Sequence, residues 1–303
     1  LLQVGERASP QHESLPRLVS TLRGLSCPVI AIGGHVPERL MPAVDVQVAS
    51  MRAAQPLLHN IRRNPLAAST LVQLLRHNEE VPAAQGLLAE SLAYATLQSG
   101  PEFAALVAAG RFPATSPAVD AQQGDPLLVT RQGSELHIAF NRPQHNNAYN
   151  ATMREQLYDA LQLLQVDSEL TRCLITGQGP CFSVGGDLAE FGLVGDAATA
   201  HAIRSMRNVP RLMLSLSARI ECRVHRACIG SGIELPAFAS RLYAREDTVF
   251  QLPELAFGLL PGAGGTVSLL RRIGRHRLAW LVLSGRRIRA ATALEWGLVD
   301  GLF

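Results

Sequence analysis

The chain contains no lysine; all 28 of its basic residues are arginine. Schiff-base chemistry and a lysine general base are therefore excluded, because an arginine is not usefully deprotonated in a protein. A phosphate loop of the G-x-x-x-x-G-K-S/T kind is excluded for the same reason. No apolar run approaches the ~18 residues of a membrane-spanning helix, and the N-terminus lacks the basic-then-apolar pattern of a secretory signal. The five cysteines, Cys27, Cys173, Cys181, Cys222 and Cys228, include no C-x-x-C pair. That argues against a disulfide framework or a zinc ribbon and for a reducing, cytoplasmic setting. The formal charge is only +3 and no long block of one sign occurs, so neither nucleic acid nor a membrane surface is expected as a partner.

What is present suffices for a large core, since 47% of the 303 residues are hydrophobic. Residues 1–112 read as an N-terminal segment. Two short runs rich in branched residues, Pro28-Val-Ile-Ala-Ile32 and Val44-Asp-Val-Gln-Val48, predict strands. From 51 to 110 the apolar period becomes helical, with Leu71, Leu74 and Leu75, then Leu87, Leu88, Leu92, Tyr94 and Ala95, which predicts two or three helices. Residues 113–126, with Pro113, Pro117, Gly124 and Pro126, have the composition of a linker. Over 127–303 strands and helices alternate, an α/β pattern. A hairpin is expected from Leu127-Leu-Val-Thr130 and Glu135-Leu-His-Ile-Ala-Phe140, then a helix over 151–165 capped by Asn150, and a strand at 172–176. A helix from Ala197 to Leu216, strands at 219–224 and 241–244, and a short helix from Ser231 complete the reading.

Three glycine-rich segments each follow a strand and open a helix: Phe182-Ser-Val-Gly-Gly-Asp187, Cys228-Ile-Gly-Ser-Gly-Ile-Glu234 and Leu260-Pro-Gly-Ala-Gly-Gly-Thr266. Unsatisfied N–H groups at a helix start point outward with the positive end of the dipole, so such turns suit negative charge. None is the dinucleotide fingerprint with its ribose acid ~20 residues on, which disfavours a nicotinamide enzyme. The charge to be stabilised is more naturally a transient one.

These segments, with Asn141-Arg-Pro143, Asn147-Ala148, Pro253-Glu254 and Ala290-Ala-Thr-Ala-Leu-Glu-Trp-Gly-Leu-Val299, stand in an order that resembles the enoyl-CoA hydratase/isomerase (crotonase) superfamily from about Pro126 to Phe303. The resemblance implies a crotonase-like ββα superhelix core, behind an additional N-terminal, mainly helical segment. It implies an acyl-coenzyme A substrate, with the N–H groups of Gly186 and Ser231 as the oxyanion hole and Glu234 and Glu254 at the hydratases' two catalytic acids. Arg142, Asn147, Ala148, Val184, Asp187, Leu188, Ala189, Pro261 and Gly262 fall at positions that bind substrate and coenzyme. It implies no metal and no tightly bound cofactor, coenzyme A arriving as part of the substrate, and a homo-oligomer, trimer or hexamer. A pair of acids favours hydration of an enoyl-CoA. Isomerase, hydrolase or lyase chemistry on the same hole, and a noncatalytic RNA-binding or partner role, are the alternatives.

Each residue also has a plainer reading. Ser231-x-x-Glu234 fits a capping box, Glu254 a surface acid at a helix start, Asp187 a structural cap and Arg142 a solvated surface arginine. The sequence departs from the family pattern at Arg226, where a small glycine is usual, at Ala189, where a lysine is frequent, and at Ser240, where an aspartate is frequent. Pro236 stands early in the helix begun at Ser231, where N–H groups are free in any case. The family's terminal helices are expected to be missing after Phe303. The helical segment around Gly86-Leu-Leu-Ala-Glu90 and Ser99-Gly-Pro-Glu-Phe103 resembles them, and is expected to pack against the core in their place.

Overall fold

The computed structural model describes residues 1–3, 15–34, 36–113 and 124–303. Most of the expected linker, residues 114–123, lies outside the described residues. Strands β1 (Leu2–Gln3), β2 (Ile30–Ile32) and β3 (Val46–Val48) form a small parallel sheet, with helix α1 (Leu15–Arg23) nearby. Both branched runs are thus strands, each shortened by two residues at its start. Four helices follow rather than two or three: α2 (Met51–Arg63), α3 (Pro65–Glu80), α4 (Ala83–Gln98) and α5 (Pro101–Ala108). The extra breaks fall where Pro65 and Pro101 each occupy a first turn, the one place in a helix where a missing N–H costs nothing.

The second part is built on a six-stranded sheet in the order β12-β9-β7-β6-β5-β4: Gly301–Leu302, Arg241–Ala244, Ile220–Val224, Arg172–Gly177, Glu135–Phe140 and Leu127–Gln132. Only the β4–β5 hairpin is antiparallel, closed by Gly133 at φ +60°; the other pairs run parallel. A second sheet joins β11 (Ile288–Arg289), β10 (Val249–Gln251) and β8 (Ala227–Ile229). Helix α6 (Ala151–Val166) buries Met153, Leu157, Ala160, Leu161 and Leu164, and the side chain of Asn150 accepts the Met153 N–H at its start. The single helix expected from Ala197 to Leu216 is two, α7 (Ala197–Met206) and α8 (Val209–Leu216). Asn208 caps the second and Pro210 sits in its first turn, so the backbone must turn there. The short helix α9 (Ser231–Glu234), the kinked helix α10 (Gly265–Ser284) and α11 (Ala290–Glu295) complete the chain.

One apolar core crosses the expected domain boundary. Leu71, Leu75, Leu87 and Phe103 belong to the same buried cluster as Phe182, Ile233 and Leu269, and α2, α3 and α4 pack on α10. A buried ionic knot adds to the join. Asp45 accepts from Arg76 of α3 at 2.5 Å and from Arg275 of α10 at 2.9 Å, all three side chains being at most 8% exposed. Arg275 pairs with Glu79 of α3 as well, at 2.9 Å, so the knot ties the N-terminal helices to α10. Among the described residues no helix is long and apolar enough to cross a membrane.

Candidate active site

The first two glycine turns are lashed together. Ser183 N–H donates to Ala227 O (3.1 Å) and Ile229 N–H donates to Ser183 O (3.0 Å), so Ser183 bridges in parallel to Cys228 of β8. The Ser183 hydroxyl donates to Asn147 O and accepts the Gly185 N–H. Gly185 and Gly230 then bend at φ +94° and +52°. A Cβ at Gly185 would stand 2.7 Å from Ile229 O, so the contact itself demands glycine. Beyond these bends the N–H groups of Gly186 and Ser231 find no acceptor among the described residues. Both residues line one cavity of about 200 Å³.

Two of the expected acids enter the same cavity. Glu234, at the end of α9, is 2% exposed, and its Oε2 accepts the Ala263 and Gly265 N–H groups at 2.7 and 3.0 Å. Its Oε1 has no partner among the described residues. Glu254 follows β10 and is held so that a Cβ on Gly230 would be 2.6 Å from its Oε1; its Oε2 is buried and unpartnered. The capping box does not form. Gly230 is the N-cap, the Ser231 hydroxyl is buried without a partner, and Glu234 turns to a different helix.

A third acid comes from the N-terminal segment. Glu90 of α4, 3% exposed, accepts Gly264 N–H at 2.7 Å on Oε1, and Thr266 N–H and Oγ–H at 2.9 and 2.6 Å on Oε2. Burial pushes Glu234 well above the usual carboxylate range, and the charges of Glu254 and Glu90 push it further. Burial raises Glu254 to about 8, with Glu90 adding to it. Glu90 is also raised by burial, but the Thr266 hydroxyl and the Arg204 charge pull it back. Burial and mutual repulsion oppose ionisation of all three carboxyls at once, so they titrate together.

Of the other expected site residues, Asp187 and Gly262 line the cavity, whereas Arg142, Asn147, Ala148, Val184, Leu188, Ala189 and Pro261 do not. Arg142 is turned inward rather than solvated. At 4% exposed, it donates to Ala148 O and pairs with Asp187 at 2.8 Å. Asp187 in turn accepts the Ala189 N–H, at the start of the turn Leu188–Glu190. Asn147 is buried and fully engaged, accepting Arg142 N–H and donating to Gln178 O and Cys181 O. Val184 is 38% exposed at the rim of the loop, and Pro261 is buried ahead of the third glycine turn.

Sequence reasoning missed the wall that α4 and α7 contribute. Leu87, Glu90, Ser91 and Tyr94 of α4 and Arg204 of α7 line the cavity. The Arg204 guanidinium stacks 3.9 Å from the Tyr94 ring centroid and donates to Gly262 O. Burial raises the Tyr94 phenol to about 12, so its O–H stays protonated. Phe103 of α5 and Phe112 pack on Phe191, which covers Gly186. The helical segment therefore lies on the active-site face, as the terminal-helix analogy anticipates.

A model of the enoyl-CoA hydratase/isomerase family matches residues 130–303. The chain belongs to the enoyl-CoA hydratase/isomerase family. The 2,3-dehydroadipyl-CoA hydratase of Escherichia coli K12 is 36% identical over 180 residues, covering 58% of this chain and 69% of that protein. The crystal structure of an enoyl-CoA hydratase from Thermoplasma volcanium GSS1 is similar with a TM-score of 0.55 and 30% identity, over 60% of this chain and 73% of its own. The solved structure of Pseudomonas aeruginosa DspI has a TM-score of 0.53 and 28% identity, over 64% of this chain and 71% of its own. These crotonase-fold neighbours establish the α/β core as the family's, and membership makes an enzyme acting on acyl-CoA thioesters the coarse assignment.

Proposed function

We propose that the chain is an enoyl-CoA hydratase, adding water across the 2,3 double bond of an enoyl thioester. The observation that carries this reading is a single cavity with two unengaged N–H groups and two acids, Glu234 and Glu254, each with a carboxyl oxygen free. The thioester oxygen sits between the N–H groups of Gly186 and Ser231. Water bonds to C3 while its proton passes to one glutamate, and the π electrons move onto the thioester oxygen as an enolate. The enolate collapses with transfer of a proton to C2 from the other carboxyl, and the N–H pair stabilises the charge while it exists. Hydration needs one acid protonated and one ionised; burial and mutual repulsion raise both carboxyls, which supplies the proton donor for C2.

The experiment is incubation of crotonyl-CoA in water enriched in heavy oxygen, with mass spectrometry of the thioester. Hydration gives a 3-hydroxyacyl-CoA carrying the heavy atom. A shifted double bond without label means an isomerase, and free coenzyme A with label in the acid means a hydrolase.

A further inference from the structure

The cavity holds three arginines, and they are not equivalent. Arg207 is paired with Glu155 and Asp159, and Arg154 with Glu155. Arg204 has no ion pair among the described residues. One of its N–H groups donates to Gly262 O and one face of the guanidinium lies on Tyr94. The remaining N–H groups in its plane meet no protein acceptor among the described residues. Glu90 is near enough to feel its charge, yet both Glu90 oxygens are turned to Gly264 and Thr266. Stacking on an aromatic ring leaves a guanidinium edge presented for a carboxylate, the geometry of a two-pronged pair.

We propose that Arg204 selects acyl-CoA thioesters whose acyl chain ends in a second carboxylate. The inference rests on the acyl-CoA reading above. Gly186, Ser231 and Arg204 line the same cavity, so an acyl chain held at its thioester by the two N–H groups shares that cavity with the guanidinium. The other charged or titratable groups lining the cavity are Glu90, Glu234, Glu254 and Tyr94, with Tyr149, Arg154, Asp187, Glu190 and Arg207. Burial raises all three carboxyls, which weakens their repulsion of an entering anion. An apolar terminus would leave the arginine desolvated and unpaired, which disfavours simple fatty chains.

The test needs no turnover. Calorimetric binding of adipyl-CoA and hexanoyl-CoA, both saturated and of equal chain length, is compared for the wild type and for Arg204→Met, which keeps an apolar stem against Tyr94. The wild type is expected to bind adipyl-CoA about tenfold to a hundredfold more tightly than hexanoyl-CoA, the range of a charge-assisted pair. The variant is expected to lose that preference. No preference in the wild type overturns the proposal, and this arm stands even if the variant does not fold. Equal weakening of both ligands by the substitution also overturns it, because Arg204 would then act only as a tether to Gly262 or a contact to the coenzyme. A preserved adipyl preference with no hydration of any enoyl-CoA would sink the hydratase reading and leave the specificity role intact.

Discussion

Glu90 and Glu234 hold the same helix start from two distant parts of the chain. Glu90 takes the N–H groups of Gly264 and Thr266, and Glu234 takes those of Ala263 and Gly265, so the donors alternate between the two carboxylates. The third glycine turn is thus not an open anion site. It is filled by two acids of the protein, one of them expected to be catalytic, and the helix dipole of α10 offsets the charge they carry.

Glu90→Ala leaves two N–H groups and the Thr266 hydroxyl buried without acceptors. The expected cost is about 3 kcal/mol in urea unfolding, together with a loss of activity as the Gly262–Thr266 turn relaxes. An unchanged midpoint would mean that the N-terminal segment is not coupled to the site.

The Glu254 carboxyl is raised from 4.5 to about 8 in the folded protein. The folded state therefore binds a proton that the unfolded chain releases between those values. The stability this represents is fully present below pH ~4.5 and is lost as pH rises through about 8. Glu254→Gln carries no such charge. It is expected to be more stable than the wild type at pH 9 by up to about 5 kcal/mol, with the gap closing toward acid pH. Thermal unfolding across that range checks it, and a gap that is flat or widens toward acid pH would contradict the shift.

Gly230 has φ +52° and no room for a Cβ, whose nearest neighbour would be Glu254 Oε1 at 2.6 Å. Gly230→Ala displaces both the Ser231 donor and the Glu254 carboxylate. A fall in kcat of at least about a hundredfold is expected, the scale for losing one oxyanion donor. Rates within tenfold of the wild type would place the oxyanion site elsewhere.

Arg226 adopts φ +54° in the turn between β7 and β8, with its side chain 66% exposed beside Asp247. The family's usual glycine avoids that strain, and the left-handed region costs a side-chain-bearing residue about 1 kcal/mol. Arg226→Gly is expected to raise stability by roughly 0.5–1 kcal/mol, less whatever the exposed pair with Asp247 contributes. A lower unfolding midpoint would mean that this pair outweighs the backbone strain.

What was legible in the sequence was local. Asn150 caps the helix it precedes, and two apolar runs flanking a glycine turn mark the β4–β5 hairpin, so short spacings carried those readings. The break at Asn208-Val-Pro210 was legible too, as a cap followed by a first-turn proline, but the apolar period across it masked the signal. Glu90 was out of reach. It lies in a helix with little amphipathic contrast, and its partner Gly264 is 174 residues away, so no spacing rule connects them. Arg142 looked like a surface residue because arginines usually are, and only the fold supplies the inward acceptors Asp187 and Ala148 O.

The central claim is that Glu234 and Glu254 act as an acid–base pair on an enoyl thioester held by Gly186 and Ser231. The most direct measurement is the decay of the enoyl thioester absorbance of crotonyl-CoA with wild type, Glu234→Gln and Glu254→Gln, each checked for folding. Decay in the wild type, reduced about a thousandfold or more by either substitution, is predicted. Turnover that survives Glu234→Gln but not Glu254→Gln would contradict hydration and point to single-acid chemistry.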